Sequence, residues 1–540
     1  LTQRFHICIA FLSYFIFLSF PAAAQNPSVT FYGESTWDVA TELDVEPDGS
    51  IMIAGEFGVD ESQLSLMRLN PAGEIRYAIC DTAQTVSVRG HCRMGNNNMI
   101  VVGRVSVGFP AQSDGFIAEF NPKGKILRYV RVGVDSAEDE FREVEPLANG
   151  GLALWGITRQ NDVVYGDGWF VRLDADWNIV AESSYGALGW NYNSGFVQLP
   201  PTFALQPQFV GFTSTSDGEQ GILTAAVTKF NWNGSVIWSK LIGTTEAEQV
   251  HAAALAHDGN ILMLGSSTEN GWPDLKFWLT KLDVNGNVLW SKEYDTQLSE
   301  EGRDLHVEPN GDIIITGDVW LGGLRSAAAI KVDSAGTLVW IRNYGTASGF
   351  EKGHATVADP LGSGYISLVE SYGPFGYRDL MLFRSDAGGN TPCRSFNNVV
   401  TTAVSPTYAE GSVPVQTVNS QVNDLPYKIV KRPLRRLVLC ENPTAKSALE
   451  QPAPEAAQAS AFPNPFQDRL SIQADFANSG AAHIRIFDAT GRIVLDQQAE
   501  VRDGHLDQQF DLAHLPAGQY HLVMTCGSER ISRPLAKITH

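Results

Sequence analysis

Five basic or imidazole side chains recur at one place in the sequence. Glycines at positions 55, 103, 156, 211, 265 and 317 each end an apolar run. The place of interest lies fourteen residues before each of these glycines. In a seventh copy the spacing drifts by one, and His354 is nearest to that place. The residues found there are Thr41, Arg89, Arg142, Val197, His251, Arg303 and His354. Guanidinium and imidazole groups gathered in a ring would bind a carboxylate or a sulfated sugar.

Acidic residues directly follow three members of this set. Glu42, Glu143 and Asp304 come after Thr41, Arg142 and Arg303. One interpretation is that each acid forms a local ion pair and that no ligand is involved. A second is that the acids themselves act on a polysaccharide, which for hydrolysis requires two carboxyl groups about 5–9.5 Å apart in one cleft.

No established catalytic motif accompanies these residues. The sequence contains no Gly-x-Ser-x-Gly, His-Glu-x-x-His, phosphate-binding loop or Cys-x-x-Cys pattern. Its eleven histidines show no metal-ligand spacing. We therefore assign no catalytic residue, metal site or cofactor, and the sequence favours a binding or scaffold protein over an enzyme.

Internal repeats determine how these side chains are positioned. An Asn or Asp recurs at steps of 50 to 57 residues and is usually followed three residues later by Gly. These positions are Asn70, Asn121, Asp174, Asn231, Asp283, Asp333 and Asp386. Each copy contains four short strand patterns, which is typical of a β-propeller blade. The sequence predicts an all-β fold with a seven-bladed β-propeller at 25–396; an open β-solenoid is the alternative.

Two details refine this prediction. Residues 28–33 resemble 337–345, so the N-terminal strand is expected to complete the last blade. Aromatic residues recur seven positions after the Asn or Asp, and such side chains are expected to pack between blades. They are Tyr77, Trp238, Trp290 and Trp340.

The region after the repeats is extended and polar. Residues 397–440 are predicted to pack as strands on the propeller exit, and 441–460 to form a semi-rigid linker. A basic run at 431–436 is expected to be a solvated loop or a protease-sensitive site. Cys393 and Cys440 bracket the segment and are predicted to form a disulfide, whereas pairing of Cys80 with Cys92 stays open.

Charge and the N-terminus limit the partners. The formal net charge is −21, and a strongly acidic protein repels nucleic acid. Arg4, an apolar stretch from Ile7 to Phe20 and the Ala22-x-Ala24 site predict a signal peptide at 1–24. No later segment is apolar enough to be predicted as a transmembrane span.

The C-terminal residues carry three motifs in a fixed order. They contain Phe462-Pro463-Asn464-Pro465-Phe466, then Gly491-Arg492, then Pro516-Ala517-Gly518-Gln519-Tyr520. Alternating strand patterns between turn residues predict a small Ig-like β-sandwich at 461–540. This order and spacing resemble the C-terminal sorting domain of the type IX secretion pathway of Gram-negative bacteria.

The resemblance implies a partner and a destination. It implies that Pro463, Asn464, Pro465, Gly491, Arg492, Pro516, Gly518 and Tyr520 form the sorting motif. The type IX machinery would bind this domain, and the protein would reach the cell surface, attached to the outer membrane or released. We expect a displayed propeller that binds an anionic glycan or peptide; the alternative is an extracellular polysaccharide hydrolase or lyase.

Overall fold

The computed structural model describes two parts of the chain, residues 27–441 and 459–538. Within them the described residues exclude 35–36, 59–61, 109–111, 135–136, 160–165, 187–190, 201–205, 217–222, 244–247, 269–274, 297, 322–323, 346–349, 376–377, 394, 397–400, 404–406, 411–414, 417–419, 477–478, 489–492, 503 and 527–528. The predicted signal peptide and most of the predicted linker lie outside the described residues. The chain divides into two compact units at Thr444 and Ala445.

The first unit contains 35 of the described strands, numbered here in chain order. The strands of the repeats are β1 Ser28–Gly33, β2 Trp37–Val45, β3 Ile51–Gly58, β4 Leu64–Leu69, β5 Ile75–Asp81, β6 Val86–Arg93, β7 Met99–Gly108, β8 Gln112–Phe120, β9 Ile126–Gly133, β10 Asp139–Pro146, β11 Leu152–Thr158, β12 Asp167–Leu173, β13 Ile179–Tyr185, β14 Asn191–Leu199, β15 Gln208–Ser216, β16 Leu223–Asn231, β17 Val236–Gly243, β18 Glu248–Leu255, β19 Ile261–Thr268, β20 Leu275–Leu282, β21 Val288–Asp295, β22 Ser299–Val307, β23 Ile313–Leu321, β24 Leu324–Val332, β25 Leu338–Tyr344, β26 Glu351–Ala358, β27 Tyr365–Ser371 and β28 Asp379–Ser385. The later strands are β29 Ser395–Phe396, β30 Thr401–Ala403, β31 Thr407–Glu410, β32 Val415–Gln416, β33 Gln421–Asp424, β34 Ile429–Lys431 and β35 Arg435–Glu441.

The described strands of this unit form seven antiparallel sheets, one for each sequence copy, which we number 1 to 7. The first strand of each repeat is the innermost, and these strands are β2, β6, β10, β14, β18, β22 and β26. Each inner strand contacts the inner strand of the next sheet, and β26 contacts β2. The contacts therefore close on themselves, and the all-β prediction is confirmed.

Sheet 7 is assembled from distant parts of the chain. The N-terminal strand β1 pairs with β28, as the similarity between residues 28–33 and 337–345 predicts. On its other side β1 pairs with β35. The two ends of the unit therefore meet in one sheet, so hydrogen bonds hold the last repeat to the first residues of the domain.

The segment after the repeats forms an outer belt, residues 395–441. Its seven short strands pair in turn with sheets 6, 5, 4, 3, 2, 1 and finally 7, one strand on the outer edge of each. The prediction of strands packed on the propeller exit did not specify this path along the sheet edges. Strands of two to four residues leave no alternation pattern that would identify their partners, so the path cannot be read from the sequence.

The basic run at 431–436 includes the loop between two belt strands, and Lys431, Pro433, Arg435 and Arg436 are exposed, as a solvated loop requires. Lys431 ends β34, and β35 begins at Arg435. The Arg432 guanidinium donates two hydrogen bonds to the Glu34 carboxylate, at 2.9 and 3.0 Å. This bidentate pair fixes the belt to the start of the ring.

A repeated turn joins the third and fourth strands of the repeats. The Asp283 carboxylate accepts hydrogen bonds from the backbone N–H groups of Asn285 and Asn287, both at 2.8 Å. Gly286 has φ of 74°, and a Cβ there would lie 2.7 Å from the Trp238 ring of the preceding sheet. The recurring aromatic side chains thus pack between sheets, as predicted.

The second unit contains two sheets with a shared apolar core. Its strands are β36 Ala459–Phe462, β37 Arg469–Asp475, β38 Gly480–Asp488, β39 Ile493–Val501, β40 His505–Asp511, β41 Gly518–Cys526 and β42 Glu529–Lys537. One described sheet has the order β36-β37-β40 and the other β39-β38-β41-β42. Phe466, Leu470, Ile484 and Leu522 are fully buried between them.

The cysteines divide between covalent and packing roles. Cys393 and Cys440 form a disulfide that joins the start of the belt to its end. Cys80 and Cys92 are buried thiols that form no disulfide with each other, and Cys526 lies in the core of the second unit. Within the described ranges, no helix has the length and apolarity to cross a membrane.

Candidate functional site

A β-bulge interrupts each of the seven inner strands. The hydrogen-bond register shifts between Val88 and Gly90 in β6 and between Gly302 and Asp304 in β22, with equivalent shifts in the other inner strands. The residues skipped by the ladder include Thr41, Arg89, Arg142, His251, Arg303 and His354. These residues lie fourteen positions before the recurring glycines, or nearest to that place in the seventh copy. A bulge changes the direction in which the side chain of the skipped residue points.

The recurring glycine faces the bulge. Gly103 pairs with Val88, and a Cβ on Gly103 would lie 1.9 Å from the carbonyl oxygen of Ser87. A Cβ on Gly156 would lie 2.0 Å from the carbonyl oxygen of Glu140. Because the backbones approach this closely, only glycine fits without displacement. The glycine and the bulged side chain are therefore two signals of one local structure.

In the fourth sheet the bulge lies elsewhere relative to the recurring glycine. Its bulge lies between Asn193 and Phe196, where Gly195 has φ of 90°. Val197, which lies fourteen residues before Gly211, pairs normally with Val210 and is buried. Because this bulge skips two residues and lies before Phe196, the residue fourteen positions before Gly211 is not the one that the bulge exposes.

The bulges deliver their side chains into an axial pocket of about 370 Å³. All five predicted ligand-binding residues line it. They are Arg89, Arg142, His251, Arg303 and His354. The wall also contains Glu42, His91, Glu143, Asp304 and Lys352. The predicted residues and the neighbouring acids therefore share one cavity.

Ion pairs hold the arginines in place. Arg303 contacts Glu301 at 2.6 Å and Asp318 at 2.7 Å, both within sheet 6. Glu140 of sheet 3 lies 3.5 Å from Arg142 of its own sheet and 2.5 Å from Arg89 of sheet 2. Arg142 and Arg303 thus pair within their own sheets, but with Glu140, Glu301 and Asp318 rather than with the acids that directly follow them, whereas Arg89 pairs across sheets.

Pairing does not withdraw these arginines from the cavity. Side-chain exposure is 34% for Arg89, 28% for Arg142 and 23% for Arg303. A guanidinium carries five N–H donors, so one or two hydrogen bonds to acids leave others available. The geometry permits contact with an anionic ligand while the local acids fix the orientation.

The two histidines of the ring are neutral at pH 7. Burial, reinforced by the charge of Arg303, lowers the pKa of His251 to about 3. Burial likewise lowers the pKa of His354 to about 4, although Glu370 opposes the shift. The ring is therefore less cationic than the sequence suggests, and the imidazoles serve as hydrogen-bonding groups.

Lys352 supplies a further positive charge, which deprotonation removes in mildly alkaline solution. Burial, followed by the charge of Arg303, lowers its pKa to about 8. Lys352 lies two residues before the bulged residue His354 of β26, so the fixed spacing from a glycine does not identify it. The signal that could have revealed it is its alternation with His354 on one strand.

Acidic residues line the same pocket. Burial raises the pKa of Glu143 well above its ordinary value, and the charges of Glu42 and Asp304 raise it further. Burial also raises the pKa of Asp304. Three carboxyl groups that disfavour one another's ionisation face the same space, and a protonated carboxyl group is able to donate a proton.

His91 is a further residue of the pocket wall that sequence reasoning missed. Its Nδ1 lies 2.7 Å from a Glu42 carboxylate oxygen. Burial opposes the charged imidazole, but the hydrogen bond and charge of Glu42 raise its pKa overall. His91 comes from a different sheet than Glu42, so their pairing appears only when the ring is closed.

A metal centre does not emerge from this arrangement. Among the residues that the structure describes, no three His, Cys, Asp or Glu side chains lie close enough together to hold an ion.

The residues of the predicted sorting motif lie in the second unit. Asn464 accepts a hydrogen bond from the backbone N–H of Ala536 at 2.9 Å, and the Tyr520 hydroxyl donates to the carbonyl of Pro516 at 2.6 Å. Pro463, Asn464 and Pro465 are exposed next to the buried Phe466. Pro516 and Gly518 are also exposed. Gly491 and Arg492 lie outside the described residues.

Solved structures share only distant likeness with the chain. A polysaccharide lyase of family PL25, an ulvan lyase, has 9% identity and a TM-score of 0.44 over 68% of this chain and 96% of its own. The polysaccharide lyase Uly1 has 9% identity and a TM-score of 0.37 over 67% and 98%. The Bombyx mori GH32 β-fructofuranosidase BmSUC1 has 10% identity and a TM-score of 0.28 over 70% and 93%. Likeness at this level says nothing of what this chain binds.

Family models match two regions of the sequence. A secretion system C-terminal sorting domain matches residues 460–537, and a β-propeller domain of unknown function, DUF5122, matches residues 46–75. No curated protein shows significant similarity. The repeats thus form an all-β, propeller-type domain, and the C-terminal domain belongs to the type IX sorting domains, which direct export to the cell surface or the extracellular space.

Proposed function

We propose that this protein is a surface-displayed binding protein whose axial pocket holds an anionic ligand, a glycan or a peptide. Its repeats would form a seven-bladed β-propeller at 25–396, followed by the outer strands at 397–440, a linker at 441–460 and an Ig-like sorting domain at 461–540. A signal peptide at 1–24 would start export, and the sorting domain would bind the type IX machinery.

One observation carries the proposal. Bulges on separate sheets direct Arg89, Arg142 and Arg303 into a single cavity of about 370 Å³, where Lys352 adds a fourth cation. In a chain with net charge −21, a concentration of cations around one cavity is unexpected from composition. Half-buried guanidinium groups fixed by acids are preorganised, so little entropy is lost when a carboxylate or sulfate binds.

The pocket wall also favours a second candidate, an extracellular polysaccharide hydrolase or lyase. Glu143 has a raised pKa and lies among Glu42, Asp304 and His91. A carboxyl group with a raised pKa is suited to general acid catalysis, and an imidazole to proton transfer. This candidate needs the same anionic substrate and adds bond cleavage.

A binding screen with the full mature chain tests both candidates. The probes are uronate monosaccharides, acidic polysaccharides, neutral dextran and an acidic peptide, with binding measured by calorimetry and products by chromatography. Binding of an acidic probe that Arg142→Gln abolishes supports the binding protein. Cleavage that Glu143→Gln abolishes, with binding retained, supports the enzyme. If wild type binds none of the acidic probes, the proposal is wrong.

The control variant should carry an arginine outside the pocket. Arg128 lies over the Trp177 ring at 5.2 Å and is 42% exposed in its side chain. It is not part of the pocket wall. Arg128→Gln removes the same charge from the protein and is expected to leave binding unchanged.

A further inference from the structure

Next to the axial pocket, aromatic rings and arginines alternate where sheets 6, 7 and 1 meet. We call this group the aromatic platform. Its members are Trp37, Trp320, Arg325, Phe350, Tyr372 and Arg378. All lie at the ends of strands at which the inner strands begin.

The platform is a continuous stack. The Arg378 guanidinium lies 4.3 Å from the Trp37 ring centroid and 4.7 Å from that of Phe350. Arg325 lies 4.9 Å from the Trp320 ring centroid and 5.9 Å from that of Phe350. The Phe350 and Tyr372 ring centroids are 5.0 Å apart. Phe350 is thus the centre of the stack, with an arginine towards each side.

Backbone pairing between sheets holds the stack together. Trp37 forms a bridge with Arg378, and Phe350 forms a bridge with Arg325. The equivalent bridge between sheets 2 and 3 joins Ser113 to Glu138. The same structural place is therefore polar there and aromatic here, so the fold alone does not require an aromatic platform.

Two buried carboxylates connect the platform to the pocket. Asp318 is fully buried and pairs with Arg303 of the pocket and Arg325 of the platform. Glu370 is 1% exposed and pairs with His354 of the pocket, at 3.4 Å, and with Arg378 of the platform, at 2.5 Å. Each acid holds one pocket residue and one platform arginine, so the two surfaces adjoin.

The platform keeps apolar surface in contact with solvent. Trp320 is 41% exposed and Tyr372 is 43% exposed, although Arg325 and Phe350 cover part of them. A contiguous exposed apolar patch with polar groups at its rim is typical of an interaction or ligand-binding site. The apolar face of a sugar ring fits such a surface, since it stacks on an aromatic ring while its hydroxyl and acidic groups reach neighbouring guanidinium N–H donors.

From this geometry we infer a second subsite: the platform binds the sugar residues that flank an acidic residue held in the axial pocket. The ligand class is then an acidic polysaccharide of at least several sugars. This inference rests on the proposed function and narrows its ligand from anionic glycan or peptide to the glycan. Stacking at the platform contributes only when the ligand is long enough to reach from the pocket.

The test compares short and long ligands on the full mature chain. The probes are a uronate monosaccharide and an acidic polysaccharide that the wild type binds. Trp320→Ala and Tyr372→Ala are expected to weaken polysaccharide binding about tenfold each, the loss of one aromatic contact, without changing uronate binding. Trp320→Phe is expected to restore most of the affinity, which a general loss of folding would not allow.

Trp232 provides the matched control. It is 39% exposed and lies under the Arg172 guanidinium, 4.4 Å from its ring centroid, on a turn at the opposite strand ends. Trp232→Ala is expected to bind the polysaccharide as wild type does.

Unchanged polysaccharide binding by both platform variants, with uronate still bound, would overturn the subsite and leave the proposed function standing. Platform variants that weaken an acidic peptide but not the polysaccharide would also overturn it. If the wild type binds neither uronate nor polysaccharide, the proposed function fails first, which is a distinguishable result.

Discussion

The disulfide between Cys393 and Cys440 is the covalent closure of the outer belt, and its removal should be measurable. The perturbation is the double substitution Cys393→Ser with Cys440→Ser, which avoids leaving one reactive thiol. The two residues are 47 positions apart, and the belt strands between them pair with seven different sheets. Without the bond, the belt is held by short ladders of two to seven residues and by side-chain contacts such as Arg432–Glu34.

The expected magnitude follows from the length of the closed loop. Closing a loop of this length restricts the unfolded chain by about 4 kcal/mol at 25 °C. For a domain of roughly 400 residues the unfolding entropy converts this into a decrease in Tm of about 5 °C. The belt should respond more strongly than the core, because its strands at 395–396, 401–403 and 415–416 have few hydrogen bonds to lose.

Differential scanning calorimetry and hydrogen exchange provide the assay. We expect the double variant to have a lower Tm than wild type. We also expect its amide exchange, relative to wild type, to increase more in residues 395–424 than in the inner strand β2. Reductant should reproduce the effect in wild type and have no effect on the double variant. A Tm within 1 °C of wild type, together with unchanged exchange in the belt, would refute the reasoning.

Three further predictions concern single residues. Gly103→Ala should destabilise the domain by about 1–3 kcal/mol, since its Cβ would meet the Ser87 carbonyl; Gly95→Ala, in open space, should not, and equal denaturation midpoints would contradict this. Burial raises the pKa of Asp139 to about 7, so the folded state retains a proton that the unfolded state releases, and stability should decrease as the pH rises from 4 to 7. Asp139→Asn should show a smaller decrease in Tm over this range, and a slope identical to that of wild type would be evidence against this reasoning. The pKa of Lys352 is lowered to about 8, so affinity for an acidic ligand should decrease above pH 8 in wild type but not in Lys352→Met, as titration at several pH values would show.

The repeats could be recognised from sequence because each local signal has a local cause. Asp283 accepts hydrogen bonds from residues two and four positions later, and Gly286 adopts a positive φ. Both requirements lie within five residues, so they recur visibly along the chain, although in the third copy Trp177 takes the place of the glycine with φ of 69°. Most of the ring of side chains was also accessible, because Gly103 and its equivalents mark the bulge in five of the seven described sheets; the bulge at His354 faces Val369 instead.

Long-range pairing was not accessible in the same way. The belt strands have no periodic pattern, and their partners are set by the order in which the segment passes the sheet edges. The pairing of His91 with Glu42 and the neutral state of His251 depend on burial between different sheets. A sequence carries no direct record of which charged groups face each other across a closed ring.

The bond between Cys393 and Cys440 also determines how the molecule carries mechanical load. The sorting domain follows the belt, so traction applied through it arrives at Glu441, at the end of β35. At Cys440 the force divides between the ladder of β35 with β1, which pairs Val29 with Cys440, and the disulfide to Cys393. The ladders of β29 to β34 therefore lie on a branch that the disulfide bypasses, and pulling on the tail does not peel them away one by one.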